Sequence, residues 1–75
     1  MNKEIFERYI KKMQKDKMAK LTIYLSGGKT CNINVGKDKI NTYTTHIEIE
    51  KAPEYGYPTL LIIPYTSVSF VEINR

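Results

Sequence analysis

The sequence predicts an α+β domain in which an N-terminal amphipathic helix precedes a five-stranded antiparallel barrel. Three observations carry this expectation. Apolar residues recur with a helical period over the first fifteen positions. From Leu21 the period changes to two. Short apolar runs are then separated by breaks rich in Gly, Pro, Asn and Asp.

The helix is expected over about residues 3–15. Ile5, Phe6, Tyr9, Ile10 and Met13 fall at the i, i+3, i+4, i+7 spacing of one face. Asn2 suits the N-cap, and Glu4 and Glu7 suit the positive end of the helix dipole. Glu4–Arg8 and Glu7–Lys11 add i, i+4 pairs with the acid first, the better orientation. Asp16 to Ala19 then links helix to strands.

Strands are expected over about 20–26, 29–35, 44–51, 59–63 and 68–73, all within a single domain of residues 1–75. Leu21, Ile23 and Leu25 alternate with Thr22, Tyr24 and Ser26, and Cys31, Ile33 and Val35 alternate with Thr30, Asn32 and Asn34. Between them, Ser26-Gly27-Gly28-Lys29 reads as a hairpin turn, because glycine tolerates positive φ. Gly36 to Lys39 breaks the second strand, and Ile40 to Tyr43 reads either as loop or as the start of the next strand. Thr45, Ile47 and Ile49 alternate with His46, Glu48 and Glu50. Thr59 to Ile63 and Val68 to Ile73 lack that alternation, so both faces of each are expected to be covered.

Seventy-five residues make one small domain that buries roughly 60–65% of its unfolded surface, so help from a partner subunit is expected. Cys31 is the only cysteine, which excludes an internal disulfide and fits a reducing, cytoplasmic setting. Cys31 and His46 without any CxxC or HxxxH spacing make a zinc site improbable, and no cofactor is expected. Residues 1–20 lack the continuous apolar stretch of a secretory signal, and the run Leu60 to Ile63 is far short of a membrane span, so no membrane partner is expected.

The net charge of +4 is local: residues 1–20 carry seven cations against three anions, while the remainder balances. Such a patch attracts phosphate backbones or acidic partners.

The order of one helix and five strands, the glycine-bearing hairpin Leu25-Ser26-Gly27-Gly28-Lys29-Thr30-Cys31, the stretch Asp38-Lys39-Ile40-Asn41 and the turn Ile63-Pro64-Tyr65-Thr66-Ser67-Val68 together resemble the Sm-like family, that of the Sm proteins and a bacterial RNA chaperone. SH3-like small barrels resemble it in the same way. The resemblance implies an SH3-like (Sm-like) barrel, a homo-oligomer and RNA binding. The cation by which the family contacts nucleotide in its last turn is absent from Pro64-Tyr65-Thr66-Ser67. The segment between Asn41 and Ile47 is also longer than the family pattern, and Asp38 to Asn41 is one residue short of its RNA-reading stretch.

Catalysis is not expected. His46 reads as a residue of a strand's polar face, Cys31 as a small inward hydrophobe, and Glu48 and Glu50 as exposed acids. No Gly-rich phosphate loop is present. Two non-enzymatic functions remain. The favoured one is a self-associating protein-interaction module, using Tyr55, Tyr57, Leu60, Ile62, Val68 and Phe70 against a second copy or another protein. The alternative is RNA or single-stranded nucleic acid, with Arg8, Lys11, Lys12, Lys15, Lys17 and Lys20 on phosphates and Tyr43 and Tyr65 near bases.

Overall fold

A computed structural model describes residues 1–15, 19–53 and 56–74. Helix α1 spans Lys3–Met13. Asn2 caps it as the sequence suggests, its side-chain oxygen accepting from the Ile5 amide at 2.9 Å. Phe6, Ile10 and Met13 are buried, whereas Ile5 and Tyr9 stay substantially exposed. The buried stripe is therefore narrower than the apolar spacing alone implies.

Six strands follow: β1 (Lys20–Leu25), β2 (Thr30–Asn34), β3 (Lys39–Thr42), β4 (His46–Lys51), β5 (Thr59–Pro64) and β6 (Val68–Asn74). They form two three-stranded antiparallel sheets, ordered β2-β1-β6 and β3-β4-β5. The expected five-stranded barrel is therefore corrected to two open sheets with six strands among the described residues. The physical reason lies at Gly36 to Asp38. The backbone turns there, with Lys37 and Asp38 amides both bonded to the Asn34 carbonyl, and this ends β2. The chain restarts as β3, paired with β4 rather than continuing the first sheet. A barrel needs a strand shared between its two halves; the turn removes it.

The hairpin β1–β2 has the expected register, Leu21 opposite Ile33 and Ile23 opposite Cys31. Gly27 and Gly28 both adopt φ near +90°, the region that a side chain disfavours. Between β5 and β6 a short 3-10 turn, Tyr65–Ser67, carries the chain from one sheet to the other.

The inward faces of the two sheets and one side of α1 make a single core of Phe6, Ile10, Met13, Leu21, Ile23, Ile33, Ile47, Ile49, Ile63, Tyr65 and Val68, with Ala19. Phe6 meets Tyr65 edge to face, ring centroids 6.3 Å apart. Tyr65, expected near bases, and Val68, expected at a contact between copies, are thus core residues: the 3-10 turn swings Tyr65 inward and delivers Val68 to the inner face of β6. The opposite correction applies to β5 and β6. Leu61 and Ile63 point inward, but Leu60, Ile62 and Phe70 occupy the outer faces and are more than half exposed. Neither strand has both faces covered.

Candidate functional site

The outer face of the β3-β4-β5 sheet gathers most of the chemistry. Strand alternation dictates its membership. Ile47 and Ile49 are fully buried, so His46, Glu48 and Glu50 project to the other side. Ladder pairing sets Glu48 beside Ile62 and Glu50 beside Leu60 on β5. It sets Asn41 beside Glu48 and Lys39 beside Glu50 on β3. The result is two parallel rows, one acidic on β4 and one apolar on β5.

One end of this face is ordered by a polar cluster. The Tyr43 ring stacks on His46 with centroids 4.8 Å apart. The neighbouring Glu48 carboxylate, as acceptor and as charge, pushes the Tyr43 hydroxyl up from its ordinary value. His46 Nδ1 lies 2.9 Å from the Thr45 hydroxyl, and Nε2 lies 3.9 Å from Glu48. These contacts fix the imidazole as part of a surface cluster. The acidic row keeps Glu50 without an ion pair, since the pairs among the described residues are Lys3–Glu7, His46–Glu48 and Lys51–Asp38.

β5 is also an edge: it pairs with β4 alone, and β6 pairs with β1 alone. Edge strands in natural proteins are commonly blunted by a charge, a bulge or an early proline. In β5 the sequence Thr-Leu-Leu-Ile-Ile-Pro has no charge, and Pro64 stands only at its end. In β6, the exposed Phe70 stacks on the half-buried Tyr24 of β1 at 4.2 Å on the outer face of the other sheet. Tyr57 is almost fully exposed in the loop before β5, while Tyr55 lies outside the described residues.

The basic residues are divided by the structure. Arg8, Lys11, Lys12, Lys15 and Lys20 are all exposed, and Lys17 lies outside the described residues. Lys12 sits 5.9 Å above the Tyr9 ring, on the same side of α1 as Arg8 and Ile5. Lys11 instead borders a small cavity between α1 and β3, with Glu7, Ile10, Gln14, Ile40 and Thr42. There the Thr42 hydroxyl donates to Glu7 at 2.6 Å, which outweighs partial burial and holds the Glu7 carboxyl below its ordinary range, with Lys3 and Lys11 assisting. Lys20 belongs to the outer face of β1. Tyr43 is accessible beside His46, but Tyr65 is buried and offers no face to a base.

Sequence reasoning missed one polar feature, an internal ion pair. The Asp38 side chain is only 4% exposed; its carboxylate accepts from Lys51 Nζ at 2.8 Å, the Asn34 amide at 2.9 Å and the Ala52 amide at 3.0 Å. Lys51 also donates to the Asn32 carbonyl. Lys51 continues the inward phase of Ile47 and Ile49, and that phase is the signal that foretells it. An open cleft of about 720 Å³ adjoins the pair, lined in part by Asn34, Lys37 and Leu61, but its buried carboxylate is already fully bonded. Cys31 is half-buried nearby; burial, partly countered by Lys51, pushes its thiol up and away from the reactive thiolate. Among the described residues no three His, Cys, Asp or Glu side chains converge on a metal position.

Comparison with family models, with curated proteins and with solved structures finds no match to this chain. Among the described residues no helix is long and apolar enough to cross a membrane.

Proposed function

We propose that this chain is a non-enzymatic, self-associating interaction module of the cytoplasm, whose open strands β5 and β6 join one copy to the next. The observation that carries the reading is β5 itself. It is an uncharged edge strand whose outward Leu60 and Ile62 are 51% and 60% exposed. Exposed apolar residues on an unprotected edge mark an interaction surface or an aggregation liability. β6 supplies a second open edge of matching length, with Phe70 and Tyr24 beside it. An edge of one kind meeting an edge of the other is a heterologous contact, which closes into a ring or extends as a filament. The free, half-buried Cys31 suits a reducing compartment.

Ile62→Asp tests this directly. Ile62 contributes to the surface and not to the core, so the variant keeps its fold by circular dichroism while losing self-association in sedimentation velocity. A variant that retains the wild-type mass refutes the role of β5. RNA binding is the competing reading, supported by Arg8, Lys11 and Lys12 of α1, which belong to none of the ion pairs among the described residues. It predicts instead that Lys11→Glu/Lys15→Glu abolishes salt-dependent RNA binding with no change of mass.

A further inference from the structure

Strand pairing through the edges leaves the outer face of β3-β4-β5 uncovered, because backbone bonds at an edge do not shield Leu60 and Ile62 side chains that point out of the sheet plane. Helix α1 has a corresponding unused surface. Ile5 and Tyr9, 41% and 42% exposed, lie one turn apart along the flank of the buried Phe6, Ile10 and Met13 stripe. Arg8 and Lys12 lie one turn apart in the adjoining row, three residues on from each. Neither cation belongs to any of the ion pairs among the described residues.

The two surfaces match row for row. On the sheet, Leu60 and Ile62 form the apolar row and Glu50 and Glu48 the acidic row next to it. Residues two apart on a strand are separated by about 6.6–6.8 Å. Residues four apart on a helix are separated by about 6 Å along its axis. An apolar pair beside a cationic pair therefore meets an apolar pair beside an anionic pair with nearly the same repeat. The charges are of opposite sign and the exposed apolar residues are of similar extent. Lys39 stands on the far side of Glu50, on β3, and no ion pair joins them. At the other end of the row Glu48 lies beside the stacked rings of Tyr43 and His46, 3.9 Å from the imidazole.

We infer that the occupant of this face is α1 of a second copy of the same chain, with Ile5 and Tyr9 on Leu60 and Ile62 and with Arg8 and Lys12 on Glu48 and Glu50. The inference rests on the reading of the chain as self-associating and names the two surfaces that meet. Since the helix face and the sheet face are different patches, the contact is heterologous and every copy offers both halves. Its polar part weakens with salt, whereas the apolar rows do not.

A charge exchange tests it. Arg8→Glu/Lys12→Glu gives a copy with an acidic helix and an acidic face. Glu48→Arg/Glu50→Arg gives one with a basic helix and a basic face. Each alone self-associates roughly tenfold or more weakly than the wild type, because attractive pairs have become repulsive. Mixed in equal amounts, the two recover association, since each helix now faces a complementary sheet. Tyr9→Ser and Leu60→Ser, which alter no charge, weaken the wild-type association in the same assay, and circular dichroism confirms that all four variants fold. If the charge variants keep the wild-type mass, the helix-on-sheet contact is overturned while edge pairing stands. If they dissociate but mixing restores nothing, the contact is likewise overturned. A wild type that stays monomeric at all concentrations overturns the contact and the self-association reading together. A mass that rises only with added RNA, and falls back in Arg8→Glu/Lys12→Glu, assigns the helix to phosphate and refutes the proposal.

Discussion

Replacing Asp38 by Ala removes the bond between the β2–β3 turn and the end of β4. Three donors lose a charged acceptor: the Asn34 amide, the Ala52 amide and Lys51 Nζ. They are not equivalent. Lys51 is about one-third exposed and keeps the Asn32 carbonyl, and Ala52 is on the surface, so water recovers part of both. The Asn34 amide is partly buried and recovers least. A hydrogen bond to a buried charge contributes about 1.5–3 kcal/mol, and an orphaned buried donor costs about 1–3 kcal/mol. With the two solvated donors discounted, the loss is about 3 kcal/mol. At about 4–8 °C per kcal/mol for a domain of this size, Tm falls by about 12–24 °C at pH 7. The pH dependence follows from the same contacts. Burial alone raises the Asp38 carboxyl, but the bonds from Lys51, Ala52 and Asn34 outweigh it and leave it below its ordinary value. A carboxyl lowered on folding stabilises fully above its unfolded value, about 3.9, and loses that contribution as pH falls through the folded value. The gap in Tm between wild type and Asp38→Ala is therefore largest at neutral pH and narrows below about pH 4. Thermal melts followed by circular dichroism from pH 2.5 to 7 measure it. A Tm within about 3 °C of wild type at pH 7, or a gap that does not change with pH, refutes the reasoning.

Two further outcomes are expected. Ile23→Ala, which empties the centre of the core where Ile23 is fully buried, costs about 2–5 kcal/mol in urea denaturation; a loss within error places the core elsewhere. Cys31 reacts with iodoacetamide more slowly than free cysteine at pH 8, because burial raises its thiol; equal rates contradict the half-buried position.

Much of the framework was legible because it is local. Asn2, the 3.6-residue spacing and the Gly27-Gly28 turn specify α1 and the first hairpin without help from distant residues. β3 was not legible: it is four residues long, only Ile40 and Thr42 point inward, and its pairing with β4 is set by the ladder rather than by its own sequence. Barrel closure depends on whether β2 runs on past Gly36, and the Asp38–Lys51 pair that fixes this turn joins residues thirteen apart. The candidate surface was half legible. Leu60, Ile62 and Phe70 read as contact residues and are exposed, although their strands read as covered on both sides. Tyr65 reads as surface because a connection is expected around it, and no period reveals that a 3-10 turn points it inward. The match between the exposed side of α1 and the rows on β4 and β5 needs the register of two strands, which no single segment encodes.

The most direct test of the account is the mass of the unaltered chain in solution, by sedimentation equilibrium over a range of concentrations at low salt, with and without a short single-stranded RNA. A self-associating chain has a mass above the 8.7 kDa of one copy that rises with concentration and is indifferent to RNA. A constant 8.7 kDa, or a larger mass seen only with RNA, contradicts it.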